Sequence, residues 1–211
     1  GGELKDRITA MGSNPATIRT LKVNGKMNTK DWSVVKNNMP VLEELDLSGT
    51  TINNVPENAF YDKQTLKKVV LPTTVTIIEQ SAFWNCVNLV TVEGCENVKE
   101  IGYSAFNYCY GLTVFPFGNN IQSLNECFNN CSSLPAKLVL PASVYGIGWC
   151  ATFGGSCVRE FDLSQCRLTQ TISQGIFGEA TSVLLPEYGS YGLDLRTFEG
   201  ATITELSIPS V

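Results

Sequence analysis

Residues 66–89 read LKKVVLPTTVTIIEQSAFWNCVNL, and this stretch decides the fold. Apolar residues alternate around Val69, Pro72 closes the run, a β-branched segment follows, and the phrase ends on Ala82-Phe83 with Cys86 three residues on. Alternation of this kind makes a short strand with one side facing inward. Proline ends it because it has no N–H to extend a ladder. The phrase recurs. The counterparts of Val69 are Leu21, Leu45, Val92, Phe115, Leu138, Phe161, Val183 and Leu206, with successive separations of 24, 24, 23, 23, 23, 23, 22 and 23 residues. A second series keeps the same period: Phe60, Phe83, Phe106, Phe128, Phe153, Phe177 and Phe198. Such self-similarity is the signature of a repeat architecture.

A unit this short cannot bury its own apolar face. Stacked on its neighbours it can, and the strands then pair in parallel at about 4.8 Å spacing. Each coil buries about five large apolar groups, each contributing about 1.5–3 kcal/mol before the entropy cost. The Phe fills the interior of the turn. The first residues read as a cap. Leu4, Ile8 and Met11 share a helix face that Gly12 ends. A second helix is expected over 30–38, capped by Thr29, with Trp32, Val35 and Met39 inward. No linker divides the chain, so 1–211 reads as one domain of about nine coils with a helical cap at about 3–39. The irregular stretches GIGWCATFGGSC (146–157) and PEYGSYGLDLRTF (186–198) read as loops on one rim.

Composition excludes much. The chain has 211 residues, 43% of them apolar, and a net charge of −5. That charge disfavours nucleic acid and anionic membrane as partners. No stretch approaches the roughly 18 apolar residues of a membrane span. No cationic segment followed by an apolar run opens the chain, so a mature or excised piece is expected. Histidine is absent. Ser-His-Asp and Cys-His nucleophilic systems, and metal sites needing imidazole, are thereby removed.

The phrase LKKVVLPTTVTIIEQSAFWNCVNL is similar to the leucine-rich repeat of BspA-like bacterial surface proteins. The matching elements are L-x-x-V-x-L-P, the isoleucine run and A-F-x-x-C-x-x-L. The opening IRTLKVNGKMNTKDW and LEELDLSGTTI also resemble the N-terminal part of such proteins from Bacteroides-type bacteria. The resemblance implies an α/β fold: a right-handed leucine-rich repeat solenoid with a curved parallel β-sheet of nine strands on its concave face and short helices or turns elsewhere. It also implies a secreted or cell-surface protein, often lipid-anchored, with an adhesive or protein-binding role and no catalytic residue. The turn cysteine is missing after Phe60, Phe177 and Phe198, and the Leu-Pro strand end is missing at Gly94 and Phe117.

Among chemistry-bearing groups, Cys86, Cys109 and Cys131 keep a fixed offset from the turn Phe and are expected as a buried, reduced ladder. Cys127 and Cys150 are 23 apart, which leaves a bridge between them open, and Cys150 with Cys157 is a weaker pair. No CxxC spacing suggests zinc. Glu44, Asp46, Glu93, Glu160, Asp162 and Glu205 fall at outward strand positions and read as a solvated face rather than a glycosidase pair. No cofactor or metal is expected. Asn130-Cys131-Ser132 fits a glycosylation sequon only formally, since Cys131 is expected inside. Trp84, Tyr103, Tyr108 and Tyr110 gather on the turn side of coils three to five, as a glycan platform, a partner anchor or plain surface.

The residues flanking each central strand residue point outward. In coils three to seven these are Lys68 and Val70, Thr91 and Glu93, Val114 and Pro116, Lys137 and Val139, then Glu160 and Asp162. An apolar centre of valines and proline inside a charged rim is the anatomy of a protein-binding patch. The expectation is non-enzymatic contact with a protein or glycoprotein. Carbohydrate binding, a carboxylate hydrolase and a structural spacer for a missing domain remain alternatives. Partner identity and oligomeric state are left open.

Overall fold

The computed structural model describes residues 1–148, 152–187, 189–194 and 196–208. The postulated pairings of Cys150 with Cys127 and with Cys157 lie outside the described residues. A helix α1 (Leu4–Ala10) and a 3₁₀ turn (Pro15–Thr17) lead into strand β1 (Thr20–Gly25), which is followed by helix α2 (Thr29–Asn38). The remaining elements are strands: β2 (Glu44–Thr50), β3 (Asn54–Val55), β4 (Lys68–Val70), β5 (Ile77–Ile78), β6 (Thr91–Glu93), β7 (Glu100–Ile101) and β8 (Ser123–Asn125). They continue as β9 (Lys137–Val139), β10 (Gly146–Gly148), β11 (Glu160–Asp162), β12 (Ser182–Leu184) and β13 (Glu205–Ser207).

Every ladder is parallel, as the repeat requires. Strands β1, β2, β4 and β6 form one sheet, and β9, β11, β12 and β13 form another. In both, the repeat residues stand opposite one another: Leu21 on Leu45, Leu45 on Val69, Val69 on Val92, then Leu138 on Phe161, Phe161 on Val183 and Val183 on Leu206. The expected unbroken row of nine strands is therefore corrected. Coil five contributes only a bridge, Thr91 to Val114, and the row stops there. The cause is local. Pro116 stands where Val70 and Glu93 stand in the preceding coils, and it has no N–H to give. The Phe115 carbonyl, which would serve coil six, instead accepts the Phe117 N–H two residues on at 3.0 Å. Phe117 then packs edge-on against Phe115 and Phe128, with centroids 4.9 and 5.7 Å away.

A separate five-stranded sheet, β3-β5-β7-β8-β10, bridges the interruption, because β8 belongs to coil five and β10 to coil six. Its strands put Val55, Ile78, Ile101, Leu124 and Ile147 inside. The sequence showed these as β-branched runs and gave no reason to expect a sheet, since each carries a single inward residue. The Phe-bearing turns form a third ladder. The N–H groups of Asn58, Phe60 and Asp62 donate to the carbonyls of Gln80, Ala82 and Trp84 at 3.1, 2.7 and 2.8 Å. Ser81, Phe83 and Asn85 repeat this onto Tyr103, Ala105 and Asn107, at 2.9, 2.8 and 2.9 Å. Residues two before and two after the Phe take the left-handed conformation that aims these groups, as in Asn58 (φ 55°) and Asp62 (φ 59°).

Inside, Phe60, Phe83, Phe106 and Phe128 are fully buried and stacked, at centroid separations of 4.8, 4.9 and 5.3 Å. The N-terminal cap differs in detail from expectation. Asn28, not Thr29, caps α2, accepting from the Lys30 and Asp31 N–H groups while the Asp31 carboxylate receives the Asn28 N–H. That same carboxylate accepts the N–H of Leu4 at 3.0 Å, so one acid ties both helices. Ile8, Val35 and Met39 are buried and Trp32 is half-buried, but Met11 is exposed, because α1 ends at Ala10 and carries it past the helix face.

Candidate functional site on the strand face

The outward residues of successive strands fall into two columns set by the ladder register. One runs Thr20, Glu44, Lys68, Thr91 and Val114, then Lys137, Glu160, Ser182 and Glu205 across the interruption. The other runs Lys22, Asp46, Val70 and Glu93, then Val139, Asp162, Leu184 and Ser207, with Pro116 at the break. All ten residues predicted for this face thus lie on it. Thr20, Lys22, Glu44, Asp46, Ser182, Leu184, Glu205 and Ser207 extend the same columns beyond coils three to seven. Their acids were legible as outward groups, but their place in one continuous face follows from the register.

The face is uneven in charge. In coils one to four, acids meet bases across adjacent strands: Lys22 to Asp46 at 2.6 Å, Lys68 to Glu93 at 2.6 Å, and Glu43 beside the face to both Arg19 and Lys67. Hydrogen bonds from Lys22 and Ser48 hold the Asp46 carboxyl down to about 2. The Glu93 carboxylate raises the Lys68 ammonium above its ordinary value. In coils six to nine, Glu160, Asp162 and Glu205 line a shallow groove with Lys137, Ser182 and Ser207, and no ion pair crosses that face among the described residues. Asp162 accepts the Ser164 N–H and hydroxyl at 3.1 and 2.7 Å, and Glu205 accepts the Ser182 hydroxyl at 3.1 Å.

At the junction of the two halves the face is apolar. Val114 is 49% and Val139 53% exposed, with exposed Pro116 between them in the chain. In a repeat whose other large apolar groups are mostly inside, these sit in consecutive coils where the ladder is broken.

The cysteine ladder is present as expected. Cys86, Cys109 and Cys131 are fully buried, and each Sγ donates to the carbonyl of the previous coil's Phe: Phe60, Phe83 and Phe106, at 3.0, 3.1 and 3.1 Å. Burial pushes the Cys86 and Cys131 thiols up to about 12, far from a reactive thiolate. The column begins with a residue the sequence reading missed. Lys63 stands in the cysteine position, buried, with its Nζ donating to the Lys36 and Met39 carbonyls at 3.3 and 2.8 Å. It closes the C-terminus of α2 and fastens the cap to the coils. Burial lowers its ammonium below the ordinary lysine value. Among the described residues, no group of His, Cys, Asp or Glu side chains could hold a metal ion.

The surface aromatics are arranged differently from expectation. Tyr61, not anticipated, stacks on Trp84 at 4.5 Å, Trp84 meets Tyr108 edge-on at 5.4 Å, and Tyr108 meets Tyr110 at 6.2 Å. The Lys36 ammonium lies 5.7 Å over the Tyr61 ring. Tyr103 is exposed and takes no part in the row. One face each of Tyr61 and Trp84 is taken up by their mutual stacking, while Tyr108 and Tyr110 meet their neighbours edge-on. Among the described residues no helix is long and apolar enough to cross a membrane.

The BspA type leucine-rich repeat region matches residues 50–184 in six copies. No curated protein matches the chain. Similar solved structures include a leucine-rich repeat protein of T. pallidum, 26% identical with a TM-score of 0.61, the alignment covering 74% of this chain and 75% of that one. A leucine-rich repeat protein from Bacteroides ovatus is 18% identical with a TM-score of 0.54, over 84% of this chain and 43% of its own. A leucine-rich cell surface protein from Faecalibacterium prausnitzii is 16% identical with a TM-score of 0.52, over 91% of this chain and 70% of its own. The chain therefore spans less than half of the Bacteroides ovatus structure.

Proposed function

The chain belongs to the BspA-type leucine-rich repeat family, and from that premise we propose that it is a non-enzymatic binding module which captures a protein or glycoprotein on its strand face. In this reading 1–211 acts as one solenoid unit behind the helical cap, at a bacterial surface or secreted from it. The surface placement draws support from the Faecalibacterium relative, a leucine-rich cell surface protein. The observation that carries the reading is that Val114 and Val139, in consecutive coils beside the interruption at Pro116, are both about half exposed. Structural need does not account for them. Threonine suits an outward strand position as valine does without exposing a second methyl, and Thr91 and Lys137 occupy the neighbouring ones. Apolar centres ringed by charge carry most of the energy of protein contacts.

The test is a pull-down from host extracellular material with wild-type protein and with Val114→Asp and Val139→Asp, all checked for folding by circular dichroism. Both variants are expected to fold and to lose the captured partner. Retention of the same partner at wild-type affinity by both folded variants removes the strand face as the site.

A further inference from the structure

The strand face is not symmetric about its apolar centre, and the asymmetry describes the partner. Before the interruption, Asp46 and Glu93 are each neutralised by a lysine on the next strand. Beyond it, Glu160 and Asp162 on β11 and Glu205 on β13, either side of the uncharged β12, share the face with one base, Lys137 on β9. Lys137 is the register partner of Glu160, yet no ion pair joins them. The hydrogen bonds these acids do make are to hydroxyls and a backbone N–H, which leave the charges uncompensated. Before the break two of the three face acids are ion-paired and Glu44 is not; beyond it, among the described residues, none of the three is, and that half adjoins the exposed valines.

Resting on the reading of this face as a protein-binding surface, we propose that the partner docks through a cationic, apolar-bearing protein segment. Its lysines or arginines lie over Glu160, Asp162 and Glu205, and its apolar side chains lie on Val139 and Val114. Charge complementarity selects this occupant. An acidic peptide would add like charge to like, and a neutral glycan would leave three carboxylates unmatched. A basic segment supplies the bases that this face lacks beyond Lys137, while its apolar groups cover what the broken ladder exposes. Such complementarity acts on encounter and specificity as well as affinity, so it carries a salt signature.

The probe is a synthetic, end-blocked peptide of alternating lysine and valine, beside a counterpart with glutamate for lysine. Binding is read by fluorescence anisotropy at about 50 and about 300 mM salt. The lysine peptide is expected to bind and the glutamate peptide not to. Higher salt is expected to weaken the complex. The variant Glu160→Gln/Asp162→Asn/Glu205→Gln, which keeps the hydroxyl hydrogen bonds, is expected to lose about tenfold in affinity and most of the salt response. A third protein, Val114→Ser/Val139→Ser, removes the apolar contact without adding charge. Equal binding of the two peptides, binding of neither, or wild-type affinity in the neutralised variant overturns the proposal. Wild-type affinity in the serine variant, with the charge response intact, upholds the charge proposal and overturns the apolar centre of the underlying reading.

Discussion

The turns from Asn58 to Gly154 and those from Gly175 to Gly200 share a period and an inward Phe, and differ in what joins one coil to the next. In the first group each turn sends two or three N–H groups to the carbonyls of the next coil. Each of Phe83, Phe106 and Phe128 is followed three residues on by a cysteine whose thiol reaches back to the preceding Phe. In the second group, the same position holds Ala180 and Ala201, and among the described residues one backbone bond joins the turns, from the Gly175 N–H to the Arg196 carbonyl at 2.9 Å, beside a side-chain bond from the Gln174 amide to the Glu199 carboxylate at 2.7 Å. Phe198 is half-buried and stacks only on Phe177, at 5.3 Å. The period alone thus makes coils stack. What locks them is the pair of left-handed residues around the Phe and the small polar group behind it.

The largest test of this contrast sets Phe106→Ala against Phe198→Ala. Phe106 has stacked rings on both sides, Phe83 at 4.9 Å and Phe128 at 5.3 Å, and Phe115 on its edge. Its removal opens a cavity in the middle of the row and is expected to cost about 3–5 kcal/mol, against about 1 kcal/mol for the end residue. Urea denaturation of both variants checks it. Equal losses would mean that the row is not a cooperative element.

A smaller effect separates the groups by pH. The thiols of Cys86 and Cys131 are held up to about 12 by burial, and that of Cys109 is also raised, against an ordinary value of 9.0. Above pH 9 the unfolded chain sheds thiol protons that the folded chain keeps. Stability is therefore full below that pH and drains as the pH climbs towards 12. Each buried thiol contributes about 1.4 kcal/mol per pH unit in that window. The triple variant Cys86→Ala/Cys109→Ala/Cys131→Ala, less stable at neutral pH, is expected to show a shallower alkaline slope in thermal melts from pH 8 to about 11. An unchanged slope would place the alkaline loss elsewhere.

Much of this arrangement was legible in the sequence, and the misses have physical causes. Strand register could be read because alternation and terminal proline repeat at one spacing, and outward residues such as Val114 and Glu160 follow from register alone. The interruption at Pro116 was half visible in LTVFPF, where the usual Leu-Pro end is missing. What it does to the ladder depends on where the Phe115 carbonyl turns. The sheet of β3, β5, β7, β8 and β10 stayed hidden because each of its strands carries one large inward side chain, too few for a period. Lys63 escaped notice because a lysine is ordinarily outside, and only the C-terminus of α2 makes its burial tolerable. The ion pairs on and beside the strand face of coils one to four join residues 24 or 25 apart, such as Lys22 with Asp46 and Lys68 with Glu93, and pairing of that range is invisible until the coils are stacked.

The finest distinction lies within the well-locked group itself. The position two before the turn Phe is left-handed in each of its coils, held by Asn58 (φ 55°), Ser81 (φ 52°), Ser104 (φ 55°) and Glu126 (φ 44°). Asparagine tolerates this conformation because its side chain bonds locally, whereas a longer residue bears more of the roughly 1–2 kcal/mol penalty. The Glu126 backbone is committed on both sides: its N–H goes to the Thr152 hydroxyl at 3.1 Å and its carbonyl accepts the Ser104 N–H at 3.0 Å. The conformation is therefore imposed by the ladder, not chosen by the residue. Glu126→Asn is expected to relieve part of the penalty without touching either bond, for a gain of about 0.5–1 kcal/mol, or about 1–4 °C in melting temperature. Glu126→Ala removes the same carboxylate without gaining left-handed tolerance and serves as the control. Equal melting of the two variants would mean that the side chain's charge, not the backbone of the turn, limits stability at this coil.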